Sequence, residues 1–295
     1  MSLMRDDREP PEENGDEPVF QKEGKDVRIT EARCKSALSK SKLTGLEYAL
    51  NPYKGCEHGC LYCYSPAVIH YEGKEPWGSF VEARVNMPVQ LSHELRKQPM
   101  ATVGVGTVTD PYQQPESWFR ITRHCLEQLV LKQWPVCIHT KSKTVVDDIE
   151  LLKQFKDIEV GFTFTTADDK ERAAVEPRAS STRERLDALG KLKDAGIPTF
   201  VYFGPVLPGI ITEGIEGLFK ELKDLSIKRF SVDRLRMHKG VWESLRPFIE
   251  KKHPELVDEY RMILYGQSES YEHILLELAD TARHQGLSVT LVEEP

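Results

Sequence analysis

Residues 51–64, NPYKGCEHGCLYCY, concentrate the side chains most able to do chemistry. Cys56, Cys60 and Cys63 form a C-x3-C-x2-C array. Thiolates at this spacing converge on one soft inorganic centre. Gly55 and Gly59 precede the first two cysteines and let the backbone wrap without a Cβ clash. On a cubane iron–sulfur cluster, three protein thiolates leave one iron open to a small molecule. Zinc is the alternative, because His58 would complete a Cys3His set that tetrahedral zinc accepts. A disulfide would leave one of the three cysteines unpaired. The opening MSLMRDDREP has no apolar signal core, so reduced thiols in a cytoplasmic setting are expected.

The elements that must position this loop follow an alternating pattern. Stretches 44–50, 102–108, 136–140, 159–165, 198–203 and 229–235 read as strands. Stretches 118–131, 143–155, 181–195 and 212–225 read as the helices between them. Such alternation implies parallel βαβ units, and six strands predict an α/β fold, a partial (β/α)6 barrel. Residues 65–71 and 89–97 read as further helices, with 72–88 irregular between them. Residues 1–43 are expected to be a flexible tail, 44–240 the core, and 241–295 a helical extension with a last strand at 287–292. The tail's first 26 residues are rich in Asp, Glu, Pro and Gly. A net charge of −7 argues against broad nonspecific nucleic-acid binding, while leaving room for a local basic groove. No apolar run approaches the roughly 20 residues of a membrane span.

In a parallel barrel, functional groups gather beyond the C-terminal ends of the strands. The polar strings of this chain fall there: the cysteine loop, then 107–116, Lys141-Ser142, Thr163 to Thr166, and 204–209.

The cysteine array, with Tyr62 before its last cysteine, resembles the radical S-adenosylmethionine (SAM) superfamily. The longer string, with Asn51-Pro52-Tyr53, His58-Gly59 and Tyr64, resembles its spore photoproduct lyase-like branch. That resemblance implies a [4Fe–4S] cluster on Cys56, Cys60 and Cys63, with SAM on the open iron. It implies a SAM pocket in which Asp110 meets the amino group and Lys141 and Ser142 meet the carboxylate or ribose. Thr163 and Thr165 would reach the ribose hydroxyls, Arg178 SAM or substrate, and the 205–209 loop the adenine. Tyr62 would lie near adenine, and Tyr64 matches a position of hydrogen transfer. The implied activity is reductive cleavage of SAM followed by hydrogen abstraction, lyase-like, from a substrate the sequence does not identify, a nucleic-acid lesion being one candidate. A reductant such as flavodoxin or ferredoxin would be the partner. The lyase also uses a cysteine between the cluster loop and the following strands. Residues 64–124 here contain none, and Cys125 and Cys137 follow. Cys137 on a strand reads as a buried inert thiol. The basic group Arg229, Arg234, Arg236, His238 and Lys239 reads as locally paired rather than as an anion site. The alternative to an enzyme is a zinc- or iron–sulfur-binding adaptor without turnover.

Overall fold

Parallel strands need a crossover of a dozen or more residues, which a helix supplies, so strands separated by helices settle side by side in one sheet. The computed structural model describes residues 19–22, 25–210, 214–227 and 229–292. Its strands are β1 (Val19–Lys22), β2 (Lys25–Ala32), β3 (Leu38–Lys40), β4 (Tyr48–Leu50), β5 (Tyr53–Gly55), β6 (Phe80–Arg84), β7 (Val103–Val105), β8 (Val136–Thr140), β9 (Ile158–Phe164), β10 (Thr199–Val206), β11 (Arg229–Arg234) and β12 (Val289–Leu291). An eight-stranded sheet runs β12-β11-β10-β9-β8-β7-β4-β3. Neighbours from β4 through β12 pair parallel, and β3 closes the edge antiparallel to β4. This is the α/β partial (β/α)6 barrel expected from the sequence, built on β4, β7, β8, β9, β10 and β11.

Alternation along each strand divides its side chains between two faces. Ile138, Val160, Phe162, Val201, Phe203, Phe230 and Val232 are almost fully buried. Phe203 and Phe230 pack with Phe219 of the helix Ile215–Asp224, which marks this as the helix-covered face. Cys137, His139, Phe200 and Tyr202 point the other way, with His139 against both Phe200 and Tyr202. The helix Thr182–Asp194 starts at Ser181, whose side chain forms a capping box with Glu184.

Three expectations change. The tail read at 1–43 is strand over 25–32 and 38–40, with Val27, Ile29, Ala37 and Leu38 buried. Residues 19–22 of that stretch are strand as well, and 1–18 and 23–24 lie outside the described residues. The irregular stretch 72–88 contains β6, the centre of a second sheet ordered β1-β2-β6-β5. Its strands are short and find partners far along the chain, which local pattern does not reveal. The helix read at 143–155 is a 3-10 turn, Lys143–Asp148, followed by Ile149–Leu152. Within the 3-10 turn the buried positions Val145 and Asp148 stand three residues apart, the 3-10 period.

The C-terminal extension forms helices Val241–Lys252, Val257–Leu264 and Glu269–His284. Tyr260 Oη donates to Pro208 O at 3.1 Å, and Tyr271 Oη to Val206 O at 2.9 Å. Leu235 N donates to Tyr271 Oη at 2.6 Å. Two phenols from the extension thus pin the chain where β10 and β11 end. Among the described residues, no helix is long and apolar enough to cross a membrane.

The second sheet leads straight into the cysteine loop at Gly55, the last residue of β5. Gly55 has φ +83, and a Cβ there would lie 2.4 Å from the Phe80 carbonyl oxygen. Gly55→Ala therefore combines left-handed strain with a backbone clash across the β5–β6 pair. The expected loss is at least about 2 kcal/mol of unfolding free energy, measured by urea denaturation of the metal-free protein. An unchanged midpoint contradicts this.

Candidate functional site

The cysteine loop leaves β5 at the C-terminal edge of β4, and its backbone is gripped from several sides. Asn51 accepts from Val108 N at 3.0 Å and donates to Thr107 Oγ1 at 3.0 Å. The Tyr53 hydroxyl hydrogen-bonds Glu116, whose carboxylate also accepts from Thr122 N and Arg123 N. Burial pushes the Glu116 carboxyl up to about 7 despite those donors. Thr109 Oγ1 donates to Gly55 O at 2.6 Å, and Gln113 Oε1 accepts from Glu57 N at 3.0 Å. Arg178 Nη1 donates to Glu57 O at 2.6 Å.

Cys56 is buried, Cys60 and Cys63 are half-buried, and all three are free thiols. Burial, then the Asp110 charge and the neighbouring Cys60 and Cys63, push the Cys56 thiol well up. Burial likewise takes Cys60 to about 12, against the pull of Lys141. Cys56 and Cys60 are therefore protonated without metal, and ligation must release their protons. Among the described residues, no three His, Cys, Asp or Glu side chains converge closely enough to ligate one metal ion. A cubane takes each thiolate on a separate iron, so its ligands stand farther apart than those of a single ion. Three free thiols that sense one another on one loop fit such a cluster. His58, the fourth ligand of the zinc alternative, turns Nδ1 toward Asp110 Oδ2 at 3.5 Å. Burial lowers its pKa to about 4, so the imidazole is neutral.

Asp110 is fully engaged. Its carboxylate accepts from Tyr112 N at 2.9 Å, Thr140 Oγ1 at 2.8 Å and Lys141 N at 2.7 Å. It clamps the end of β8 to the turn after β7. Ser142 caps the following 3-10 turn, its Oγ 2.9 Å from Thr144 Oγ1. Arg178 lies against the cysteine loop, and Thr163 is half-buried, its carbonyl accepting from Arg185 Nη1 at 2.7 Å.

Lys141 is different. It is half-buried, and among the described residues its ammonium makes no hydrogen bond or ion pair. Nζ sits 5.6 Å from the centre of the Tyr62 ring. Burial works against this charge, yet Cys60 and Glu176 outweigh it and raise its pKa.

Tyr62 is locked from the other side. Its hydroxyl hydrogen-bonds Glu176, and Thr165 Oγ1 lies 3.1 Å from Tyr62 Oη. Glu176 in turn pairs with Arg185, and both side chains are almost wholly buried at 0% and 1% exposure. The sequence reading missed Arg185. Its signal was there: helical periodicity puts 185 with Ala188, Leu189 and Leu192 on the buried stripe, where an unpaired arginine is untenable.

Tyr64 is half-buried, 3.5 Å from Thr107 O, with its ring 5.9 Å from that of His238. The three arginines of the basic group near β11 are paired as expected, Arg229 with Glu159, Arg234 with Glu272 and Arg236 with Asp233, while no ion pair involves His238 or Lys239 among the described residues. Cys125 is buried in the helix Ile121–Lys132. Cys137 is buried beside His139 Nε2 at 3.4 Å, its thiol raised to about 12 by burial and Glu159.

Comparison with known proteins gives a consistent picture. A family model of the radical SAM superfamily matches residues 50–222. An uncharacterized protein of Methanocaldococcus jannaschii is 26% identical over 264 residues, covering 89% of this chain and 96% of its own length. A radical SAM Nα-GlyT isomerase of Pseudomonas phage M6 is 27% identical over 195 residues, 65% of this chain and 38% of that protein. Among solved structures, spore photoproduct lyase complexed with dinucleoside spore photoproduct superposes with TM-score 0.62 at 17% identity, over 90% of this chain and 82% of that one. A mutant of that lyase with bound AdoMet gives TM-score 0.55 at 18% identity, over 77% of this chain and 66% of that one. At such identities the structural likeness is one of fold.

Proposed function

The chain belongs to the radical SAM superfamily, and from that premise we propose an enzyme that holds a [4Fe–4S] cluster on Cys56, Cys60 and Cys63 to cleave SAM reductively and abstract hydrogen from a substrate. The observation that carries this reading is the pairing of three free loop thiols with the uncommitted Lys141 ammonium beside Tyr62. When bound, the cluster would supply the electron for reductive cleavage of a carbon–sulfur bond of SAM. The chain's own part is ligation, orientation and exclusion of water. Lys141 is a point charge for the SAM carboxylate. Tyr62, fixed by Glu176 and Thr165, offers a rigid ring edge toward the cofactor. Thr163 is half-buried and would face the ribose, and Tyr64, its ring 5.9 Å from that of His238 just after β11, would face an approaching substrate. Asp110, Ser142 and Thr165 act through the residues they hold, as their hydrogen bonds are already committed. Flavodoxin or ferredoxin is the class of reductant required.

Anaerobic reconstitution with iron and sulfide, then reduction with SAM present, should release 5′-deoxyadenosine. Cys56→Ala should retain the fold and release none. Equal yields from the two proteins overturn the proposal. Nucleic acid is the first substrate class to try, supported by the fold shared with a lyase whose solved structure holds dinucleoside spore photoproduct. A yield of 5′-deoxyadenosine indifferent to every DNA and RNA added removes that class.

A further inference from the structure

The chain segment that follows the helix Asp169–Val175 lies along the cysteine loop. Leu61 N donates to Val175 O at 2.9 Å, the Tyr62 hydroxyl bonds Glu176, and Arg178 N donates to His58 O at 3.4 Å. Arg178 then sends its guanidinium back across the loop. Nη1 donates to Glu57 O at 2.6 Å and to Gly78 O at 2.9 Å. The side chain is buried. Glu57 lies between the first and second cysteines, and Gly78 belongs to the segment entering β6. Two glycines make the junction tight: a Cβ on Gly78 would lie 2.7 Å from Gly59 Cα, and one on Gly59 would lie 3.2 Å from Arg178 Nη1. One cation therefore joins the cysteine loop, the 175–178 segment and the second sheet.

We propose that residues 175–178 are a strap that shapes the cysteine loop before any cluster binds, with Arg178 as its positioning residue. A loop that closed only around its metal would leave its backbone groups to solvent in the metal-free chain. Here Glu57 N, Glu57 O, His58 O and Leu61 N all have partners outside the loop. That the loop's ligand is a [4Fe–4S] cluster rests on the function proposed above. That the strap orders the loop does not.

The test uses the full-length wild type, Arg178→Gln, Arg178→Lys and Cys56→Ala, each metal-free and after anaerobic reconstitution. Amide hydrogen exchange across 56–63 is read by mass spectrometry, with peptides from β8 and β10 as internal controls. Metal-free wild type and Cys56→Ala should be equally protected. Arg178→Gln should exchange about ten- to a hundredfold faster in the loop alone, the loss expected for charge-assisted hydrogen bonds. Arg178→Lys should fall between them, since lysine keeps the charge without the planar fork. Reconstituted Arg178→Gln should hold less iron per chain and give a broadened electron paramagnetic resonance signal on reduction. Loop exchange in metal-free wild type as fast as in Arg178→Gln overturns the proposal, as does protection that arises only on reconstitution. If Arg178→Gln fails to fold, the Arg178→Lys and Cys56→Ala comparisons decide. Failure of the wild type to take up iron removes the cluster reading, and the metal-free exchange data still decide the strap.

Discussion

Arg185→Met lowers the unfolding free energy by about 3–5 kcal/mol at neutral pH, the loss seen when one partner of a buried ion pair is removed. The reason is the carboxylate left behind. Glu176 is fully buried and depends on Arg185, with hydrogen bonds from Tyr62 and Thr165. Burial alone would push its carboxyl up. The Arg185 and Lys141 charges and the hydrogen bonds outweigh burial and hold it at about 2, below its ordinary 4.5. A carboxyl depressed in the folded state contributes stability that is present above about 4.5 and lost as pH falls through about 2. In wild type this group weakens the fold on acidification. Without Arg185 its pKa rises instead, and protonation relieves the strain. The deficit of Arg185→Met relative to wild type is therefore largest at pH 7 and shrinks toward pH 4. Chemical denaturation of both proteins across that range measures it. The double replacement Arg185→Met with Glu176→Gln should recover much of the loss. A deficit independent of pH would assign the effect to packing.

Lys141→Ala should weaken SAM binding to the reconstituted protein by about ten- to a hundredfold, about 1.4–2.8 kcal/mol. Its ammonium supports Glu176 only through charge, with no hydrogen bond among the described residues to lose, so the stability loss should be well below that of Arg185→Met. Ser142→Ala should do the opposite. Its hydroxyl is spent on the turn that follows β8, so stability falls by about 0.5–1 kcal/mol and SAM affinity holds. Calorimetric titration with SAM, paired with thermal unfolding, separates the two roles. Equal affinities for Lys141→Ala and wild type would remove Lys141 from the SAM pocket.

The contrast between these neighbours shows where sequence reading reaches its limit. Lys141 and Ser142 stand together at a strand end, and from spacing alone both qualify as ligand contacts. The fold turns one toward the face of the Tyr62 ring and the other into its own helix cap. Asp110 was legible as a polar residue beyond a strand end, and Arg178 only through the family resemblance. What they bond was not: Asp110 clamps Thr140 and Lys141, and Arg178 reaches Glu57 and Gly78. The second sheet stayed hidden because β2 and β6 pair across about fifty residues of chain. The alternation in β2, with Val27 and Ile29 buried, was nonetheless readable.

By itself, the sequence determined the order of β4, β7, β8, β9, β10 and β11, the class of fold, and the three thiols at Cys56, Cys60 and Cys63. These depend on periodicity and on spacing over a few residues, which are local properties of the chain. Only the tertiary structure decided which polar groups are already spent. A hydrogen bond between Arg178 and Glu57 spans 121 positions, and one between Tyr62 and Glu176 spans 114. Burial makes such partners obligatory, since an unpaired charge away from water is costly. Their choice therefore belongs to the packed fold, and it leaves Lys141 uncommitted beside the cysteine loop.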